Sequence, residues 1–465
     1  MYANKIRLSL FALILVTVML VTACSNGNNN ASPSSSEPAA TTEPSETTSA
    51  SPSASPSEEA PAEPVTLRLL VWGPELWTKT IPEKFHEKYP NITLQVEHID
   101  GGDNASILEK LTAMSAAGTP ADMTWVPAIP GFMKDDLLVD LTPYMESNPV
   151  LASAQLSDPV KAALSWKGKL VALPRAVDAH VIFVNKDLLA KHGVDMPTKD
   201  WTWDDFREIA KKATDASAGE YGLASGPFNY ITTPQVYAVS NGLTPNLNFM
   251  NADWSQSMIA DPNVLSAVQW YGDLGWVDGS RPNEQQSTEA GIDPNGWGSW
   301  LSGKIAFDIM GTWEGNARKQ GAQFDWDVIP FPNGSNGSVG YNAISPMGIL
   351  KGTKHENEAV QFLAWLLSQD GQRILMSDGN IPLTADPVLW DEVSKSGGWE
   401  GKNIKEAVQA DSWLRTVVGE EKYIQWWSGD TGTIFKNGGD LSVFQKWGEE
   451  FNAAAPALRQ EMGLE

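Results

Sequence analysis

Twenty tryptophans form the largest group of side chains in this sequence that could bind a small molecule by a flat apolar face. A pyranose has apolar C–H faces and an equator of hydroxyl groups, so aromatic rings can stack on it while carboxylates accept hydrogen bonds from its hydroxyls. A buried indole N–H also needs a partner, which a hydroxyl-rich ligand can provide. This chemistry predicts a carbohydrate-binding site.

Position along the chain selects the candidates, because most tryptophans are expected in the core or on the surface. Ligands of open α/β sheets lie beyond the carboxyl ends of the strands. Three tryptophans lie at or just after the ends of predicted strands, two glutamates lie near them, and one further tryptophan lies in a late stretch rich in glycine and aspartate. The candidates are Trp72, Glu75, Trp125, Trp313, Glu314 and Trp427.

A secreted glycoside hydrolase is the alternative that shares this composition. It would need two carboxylates about 5 to 10 Å apart, and nothing in the sequence singles out such a pair. Other enzyme classes lack support, since the sequence has neither a Gly-x-Ser-x-Gly nor a His-Glu-x-x-His motif and its five histidines are scattered. The sequence therefore predicts a protein that is not an enzyme and that binds neither a cofactor nor a metal.

Alternating strands and helices must position these residues, and the pattern predicts an α/β fold with a mostly parallel, helix-covered sheet. Helices are predicted around Ile81 and Phe85 and over about Ser106–Ala117, Asp204–Ala213 and Glu356–Ser368. Strands are predicted at Val65–Trp72, Ile92–Val96, Asp122–Val126, Leu170–Leu173, Val181–Val184 and Ile305–Met310.

The N-terminus has the order of a secretory signal peptide over residues 1–23. Lys5 and Arg7 precede an apolar run from Leu8 to Val21, and small residues follow. The run is short for a bilayer span, which needs about 20 residues, and this favours a signal over the alternative of an uncleaved anchor. Val21-Thr-Ala-Cys24 resembles the lipobox of bacterial lipoproteins, which implies cleavage before Cys24 and its lipidation.

Residues 24–64 are rich in Ser, Thr, Pro and Glu, and they predict a disordered tether. Such a tether suits a cell without an outer membrane, so we expect a protein anchored by lipid at the extracellular face of a Gram-positive cell membrane. The chain carries a charge of −24, to which the signal contributes +2 and the tether −6, so the body carries −20. This acidity excludes nucleic acid as an expected partner.

The body resembles the extracellular solute-binding proteins of sugar importers, the class that contains the maltose-binding protein. The matching stretches occur in the order found in the family and together cover nearly all of the body. They include Phe85-His-Glu-Lys-Tyr-Pro-Asn-Ile92, Met114-Ser-Ala-Ala-Gly-Thr-Pro-Ala-Asp122, Trp166-Lys-Gly-Lys-Leu-Val-Ala-Leu-Pro174 and Ser302-Gly-Lys-Ile-Ala-Phe-Asp-Ile-Met-Gly-Thr-Trp313.

The resemblance implies a type II periplasmic-binding-protein-like fold, with two discontinuous lobes closing over a ligand at a hinge. Lobe 1 would comprise residues 65–176 and 339–378, and lobe 2 residues 177–338 and 379–465. The resemblance also implies a monomer that delivers a carbohydrate to the permease subunits of an ABC importer. The number of candidate tryptophans favours an oligosaccharide over a monosaccharide. A surface glycan receptor without a transport role stays open as a further alternative.

The resemblance also assigns residues. Trp125 and Trp313 match positions where sugar-binding relatives stack an aromatic ring on the ligand, and Asp178 matches a carboxylate near the hinge that binds hydroxyls. An ion pair with Arg175 is the alternative role for Asp178. Glu75 matches a loop carboxylate. Further matches are Tyr230, as an aromatic contact, and Tyr341, where the chain returns to lobe 1. Val126-Pro-Ala128 carries no charge where the maltose binder does, so a glycan other than maltose is favoured.

Overall fold

The structure is a computed structural model, and it describes residues 63–73, 75–99, 102–293, 298–408, 412–419, 432, 434–435 and 438–464. The predicted signal peptide, Cys24 and nearly all of the tether lie outside the described residues, as does Trp427. No helix within the described ranges is both long and apolar enough to cross a bilayer.

The first part of the body forms one end of a sheet. Strand β1 is almost continuously apolar and pairs in parallel with β2 and β3, so the carboxyl ends of the three strands lie at one edge. Helix α1 buries Ile81 and Phe85, which are four residues apart on one helical face. The elements are β1 Val65–Val71, a π-helical turn Leu76–Thr80, α1 Ile81–Lys88, β2 Ile92–His98, α2 Asn104–Ala116 and β3 Met123–Trp125.

Short helices and a hairpin follow before the chain enters a long strand. They are α3 Ile129–Lys134, α4 Thr142–Ser147, α5 Pro149–Ser153, α6 Asp158–Ala163, β4 Ser165–Trp166 and β5 Lys169–Leu170.

The two strands that cross between the halves of the body are β6 Leu173–Asn185 and, much later, β10 Tyr341–Ile349. The first part of β6 pairs with β10, and its last part pairs with β8 and β9. The sequence predicted two separate strands here. The structure forms one strand, because backbone pairing with β10 continues on both sides of an irregularity at Arg175 and includes Asp178.

The second part of the body, residues 186–329, forms the end of the sheet opposite β2. A capping box formed by Thr202 and Asp205 begins α8. The elements are α7 Lys186–Lys191, α8 Trp203–Lys212, β7 Tyr221–Leu223, α9 Pro227–Ser240, α10 Pro262–Trp276, α11 Glu284–Ala290, β8 Ile305–Gly311, α12 Gly315–Gly321 and β9 Trp326–Ile329.

The C-terminal part consists of helices that return to both halves. Helix α13 packs near β1 and β10, while α17 reaches the second half, where Asn452 exchanges hydrogen bonds with the backbone of Ser257. The helices are α13 Glu356–Leu367, α14 Gln369–Ser377, α15 Pro387–Glu392, α16 Ile404–Ala407 and α17 Ser442–Glu461. The exact lobe boundaries stay a prediction.

The sheet order is β2-β1-β3-β10-β6-β8-β7, with β9 also paired to β6. The α/β class is confirmed. The prediction of a mostly parallel sheet was wrong, because β10 runs antiparallel to β3 and β6, and β6 runs antiparallel to β8 and β9. Successive residues of β6 enter two different hydrophobic clusters, Phe183 in one and Ile182 in the other, so this strand joins the two cores.

Candidate functional site

A first aromatic group lies where β1 and β3 end. Trp72 follows β1 and Trp125 ends β3, and their ring centroids are 6.0 Å apart at an interplanar angle of 36°. Trp72 is 46% exposed, so part of its side chain is accessible to solvent. The guanidinium carbon of Arg175 lies 5.4 Å from the Trp125 ring centroid and 4.9 Å from that of the buried Trp77. The structure thus brings two of the predicted tryptophans together.

Glu75 lies beside this group on the exposed surface. Its carboxylate pairs with Lys79 at 3.2 Å, and both side chains are largely solvent-exposed. Exposed pairs of this kind contribute less than about 1 kcal/mol. The carboxylate can therefore exchange Lys79 for another partner at little cost.

A second aromatic group gathers around the middle of β6. Tyr341 stacks on His180 with ring centroids 4.3 Å apart at 21°. Trp313 lies 5.5 Å from His180 and 5.4 Å from Phe228, both in edge-on arrangements. The Trp313 ring covers Gly311 so closely that an added Cβ there would lie 1.7 Å from a ring carbon. Because Gly311 has no side chain, the Trp313 ring can occupy this space.

His180 and Phe228 were not predicted as site residues. His180 lies two residues after Asp178, and alternate residues of a strand share a face, which is the signal that could have revealed it. Burial lowers the pKa of His180 to about 3, so its imidazole is neutral at physiological pH. Its Nδ1 lies 2.8 Å from Thr232 Oγ1.

Strand β6 connects the two groups and carries a carboxylate between them. Asp178 lies opposite Ala343 of β10, and the pairing shifts its register near Arg175. Such an irregularity re-aims side chains. Burial raises the pKa of Asp178 to about 6, and the positive charge of Arg175 opposes this rise. Arg175 itself places its guanidinium against Trp77 and Trp125.

A buried ionic network holds Glu314 next to Trp313. Arg318 and Asp308 have fully buried side chains, and Arg318 Nη2 lies 2.7 Å from Asp308 Oδ2. Arg318 Nε also lies 3.4 Å from a carboxylate oxygen of Glu314, while Asn229 donates a hydrogen bond of 2.7 Å to Asp308. Burial raises the pKa of Glu314, and Arg318 opposes that shift. Because Glu314 directly follows Trp313, this network also fixes the backbone at Trp313.

The structure places Tyr230 apart from the second aromatic group. Its ring is buried and lies 6.3 Å from that of Phe435. Phe228 and Tyr230 are two residues apart on α9, which turns them about 200° from each other around the helix axis. Phe228 is therefore the residue of this helix that reaches Trp313, and the role of Tyr230 in binding stays a prediction.

Groups of His, Cys, Asp and Glu that could hold a metal ion do not occur in the part of the chain that the structure describes. The site geometry instead consists of flat rings, a carboxylate of raised pKa and a second carboxylate held by a buried cation. These groups can stack on a ligand and accept hydrogen bonds from it.

The sequence profile of bacterial extracellular solute-binding proteins matches residues 73–373. An uncharacterised ABC transporter extracellular-binding protein of Pyrococcus horikoshii is 24% identical over 334 residues, which cover 68% of this chain and 70% of that protein. The arabinooligosaccharide-binding protein of Bacillus subtilis is 25% identical over 368 residues, which cover 72% of this chain and 74% of that protein.

A solved structure is similar over most of the body. The ABC substrate-binding protein of Listeria monocytogenes in complex with cycloalternan has a TM-score of 0.67 and 20% identity, covering 87% of this chain and 100% of that one. The predicted fold is thus confirmed as the two-lobe α/β fold of type II periplasmic binding proteins.

Proposed function

Because the chain belongs to the family of bacterial extracellular solute-binding proteins, we propose that it captures a carbohydrate outside the cell and delivers it to the permease subunits of an ABC importer. The observation that carries this proposal is the pair of aromatic groups joined by β6, with Asp178 between them. Trp72 and Trp125 offer flat surface at one end, and Trp313 offers it at the other. A sugar chain presents the matching alternation of apolar faces and hydroxyls.

We propose that the solute is an oligosaccharide. Two separate aromatic groups offer more than one stacking surface, which suits a solute of several sugar units. The names of two similar proteins support this, since one binds arabinooligosaccharides and the other was solved with cycloalternan. The family and these neighbours are binding proteins, and we propose the same role here, without a covalent change to the sugar.

The same proposal covers export, membrane anchoring and movement of the lobes. Residues 1–23 would direct export, lipid on Cys24 would anchor a monomer at the extracellular face of the membrane, and residues 24–64 would tether the body. Lobe 1 (65–176 and 339–378) and lobe 2 (177–338 and 379–465) would move about the crossing strands. The acidic body would be repelled by anionic lipid, so the anchor would supply the membrane contact.

Binding would act as a population shift between an open and a closed form. A ligand that contacts both lobes favours the closed form by its differential contacts. Small-angle X-ray scattering is expected to show a smaller radius of gyration at saturating ligand. An unchanged radius at saturation would contradict closure.

Affinity is expected to fall as the pH drops through about 6, because Asp178 must lose its proton to accept charge-assisted hydrogen bonds from hydroxyls. A hydrogen bond to a charged group contributes about 1.5–3 kcal/mol, so binding at pH 5 should be about tenfold weaker than at pH 7.5. Calorimetry across this range checks the prediction.

The pKa of Glu314 is also raised, so protonation of Glu314 would also weaken binding at low pH. Variants must therefore show which carboxylate causes the pH dependence. D178N should bind weakly at both pH values and lose most of the pH dependence, while E75Q, which removes an exposed carboxylate, should keep it. An affinity of the native protein that stays constant from pH 5 to 7.5 would remove Asp178 from the site.

A thermal-shift screen against plant and bacterial oligosaccharides tests the proposed function. A bound sugar stabilises the folded state in proportion to the logarithm of its concentration over Kd, so a true ligand should raise the melting temperature progressively. The screen should include arabino-, malto- and manno-oligosaccharides. Stabilisation by amino acids or metal ions, with none by any glycan, would refute the carbohydrate assignment.

A further inference from the structure

Arg175 is a buried cation to which the described part of the chain gives no hydrogen-bond acceptor. The residue is 5% exposed, and its Nε–H is enclosed without a partner. Burial lowers the pKa of Arg175 to about 10, and the charge of Asp178 opposes this shift, but no hydrogen bond joins the two side chains. A buried guanidinium without acceptors is costly, so an acceptor from outside the chain is expected to complete it.

An irregularity in β6 brings Arg175 to the face that carries Asp178. The pairing with β10 passes from Pro174 directly to Ala176 while β10 advances by one residue, so Arg175 is an extra residue without a partner. Residues three apart in a regular strand point to opposite faces, and an extra residue breaks that alternation and re-aims the side chain. Pro346 of β10 lies at this point, which suits a residue that has no N–H to donate.

Two tryptophans hold the guanidinium at the first aromatic group. Its central carbon lies 4.9 Å from the Trp77 ring centroid and 5.4 Å from that of Trp125, and both distances are within the range of cation–π attraction. The ring of Trp125 is in turn 6.0 Å from that of Trp72. The guanidinium therefore lies beside the surface on which a sugar unit is proposed to stack, and it is held there before the sugar binds.

Both charged groups are accessible to a sugar. Asp178 is partly exposed, and no hydrogen bond from the described residues reaches its carboxylate. The Nε of Arg175 is enclosed, whereas its two Nη atoms are not. A hydroxyl group is both a donor and an acceptor. One sugar hydroxyl can therefore donate to the carboxylate of Asp178 and accept from an Nη–H of Arg175.

The balance of buried charges favours a neutral sugar. The positive charge of Arg175 is matched by that of Asp178. In the network beside Trp313, the two carboxylates of Asp308 and Glu314 share one cation. No described cation at the aromatic groups is thus left over for an acidic sugar, which would meet surplus negative charge. A neutral sugar leaves the charges of Arg175 and Asp178 to compensate each other.

We infer that Arg175 determines specificity together with Asp178: one hydroxyl of a neutral sugar unit at Trp125 donates to the carboxylate and accepts from the guanidinium. The inference rests on the proposed function and names the substrate class, a neutral glycan, and the pair of residues that selects it. Because both hydrogen bonds involve a charged group, both are stronger than bonds between neutral groups. Each also polarises the hydroxyl for the other.

Calorimetry with neutral trisaccharides tests the role of Arg175. The probes are arabinotriose, maltotriose and mannotriose, and the one that binds the native protein most tightly is used further. R175Q should bind this probe about tenfold or more weakly. R175K, which keeps the charge but loses the planar fork, should have an intermediate affinity. R373Q, which breaks an ion pair with Glu392 elsewhere, should bind like the native protein.

Monodeoxy forms of the same probe show whether Arg175 contacts the sugar or only supports Trp125. One of them should bind the native protein about tenfold more weakly than the parent probe, and this difference should be largely absent in R175Q. R175Q/D178N should bind the parent probe about as weakly as the weaker single variant, because one hydroxyl serves both side chains. The comparison on the native protein holds even where a variant fails to fold, and melting temperatures of the variants show which of them fold.

The outcomes separate this inference from the proposed function. Native affinity in R175Q, a deoxy effect that persists in R175Q, or additive losses in R175Q/D178N would overturn the inference and leave carbohydrate binding intact. Tighter binding of trigalacturonic acid than of its carboxyl-reduced form, lost in R175Q, would also overturn it, since Arg175 would then bind a carboxylate. If no glycan binds the native protein, the proposed function fails and the inference fails with it.

Discussion

Replacing Arg318 with methionine is expected to lower the free energy of unfolding by about 3–5 kcal/mol, the usual cost of removing one partner of a buried ion pair. Asp308, fully buried and 2.7 Å from the Arg318 guanidinium, would lose its counter-charge. The guanidinium also lies 5.1 Å from the Phe183 ring centroid and 5.0 Å from that of Trp300, so methionine would keep part of the apolar contact. Urea denaturation followed by tryptophan fluorescence measures the change.

The neighbouring Lys319 provides the matched control. It forms an exposed ion pair with Glu400, so K319M should cost less than about 1 kcal/mol. The double variant D308N/R318M should recover part of the loss, because it removes both charges while Asn229 can still donate to residue 308. If R318M were no less stable than K319M, the buried network would not contribute to the fold as we describe.

Replacing Trp313 with alanine is expected to weaken binding of the true ligand by more than about 1 kcal/mol, the scale of an aromatic stacking contribution. The corresponding change in Kd is about fivefold or more. Trp313 packs against His180 and Phe228 in edge-on arrangements, so its loss would also loosen the second aromatic group. Calorimetry with the oligosaccharide found in the screen measures the effect.

Two further variants show whether the position of the Trp313 ring matters. Gly311 has φ of −74°, which alanine adopts freely, but its new Cβ would occupy the space of the ring. G311A should therefore displace Trp313 and weaken binding nearly as much as W313A. W390A, which removes a partly buried tryptophan of α15, should leave the affinity unchanged. Native affinity in both W313A and G311A would exclude Trp313 from the site.

Local sequence signals were enough to predict much of the fold. Strand β1 follows from its apolar run, and α1 from the spacing of Ile81 and Phe85, since both patterns depend on neighbours along the chain. The single crossing strand β6 could not be predicted in this way. Its polar residues Arg175 and Asp178 interrupt the apolar run, and only pairing with β10, more than 150 residues later, supplies the backbone partners.

The candidate site was predictable in part for the same reason. Trp72, Trp125 and Trp313 lie at or just after the carboxyl ends of strands, where open α/β sheets bind their ligands. His180 and Phe228 join Trp313 only because β6 and α9 pack beside β8, which local periodicity does not indicate. The charge of Asp308 inside an apolar strand was visible in the sequence, but its partner Arg318 comes from the following helix.

The most direct test of the account is a calorimetric titration of the purified body with the oligosaccharide that gives the largest thermal shift, followed by mass spectrometry of the recovered sugar. We expect saturable binding of one sugar chain per protein, with the sugar recovered intact. Shortened products, or a glycan that stabilises the protein without saturable binding, would contradict a binding protein that holds its carbohydrate between two aromatic groups.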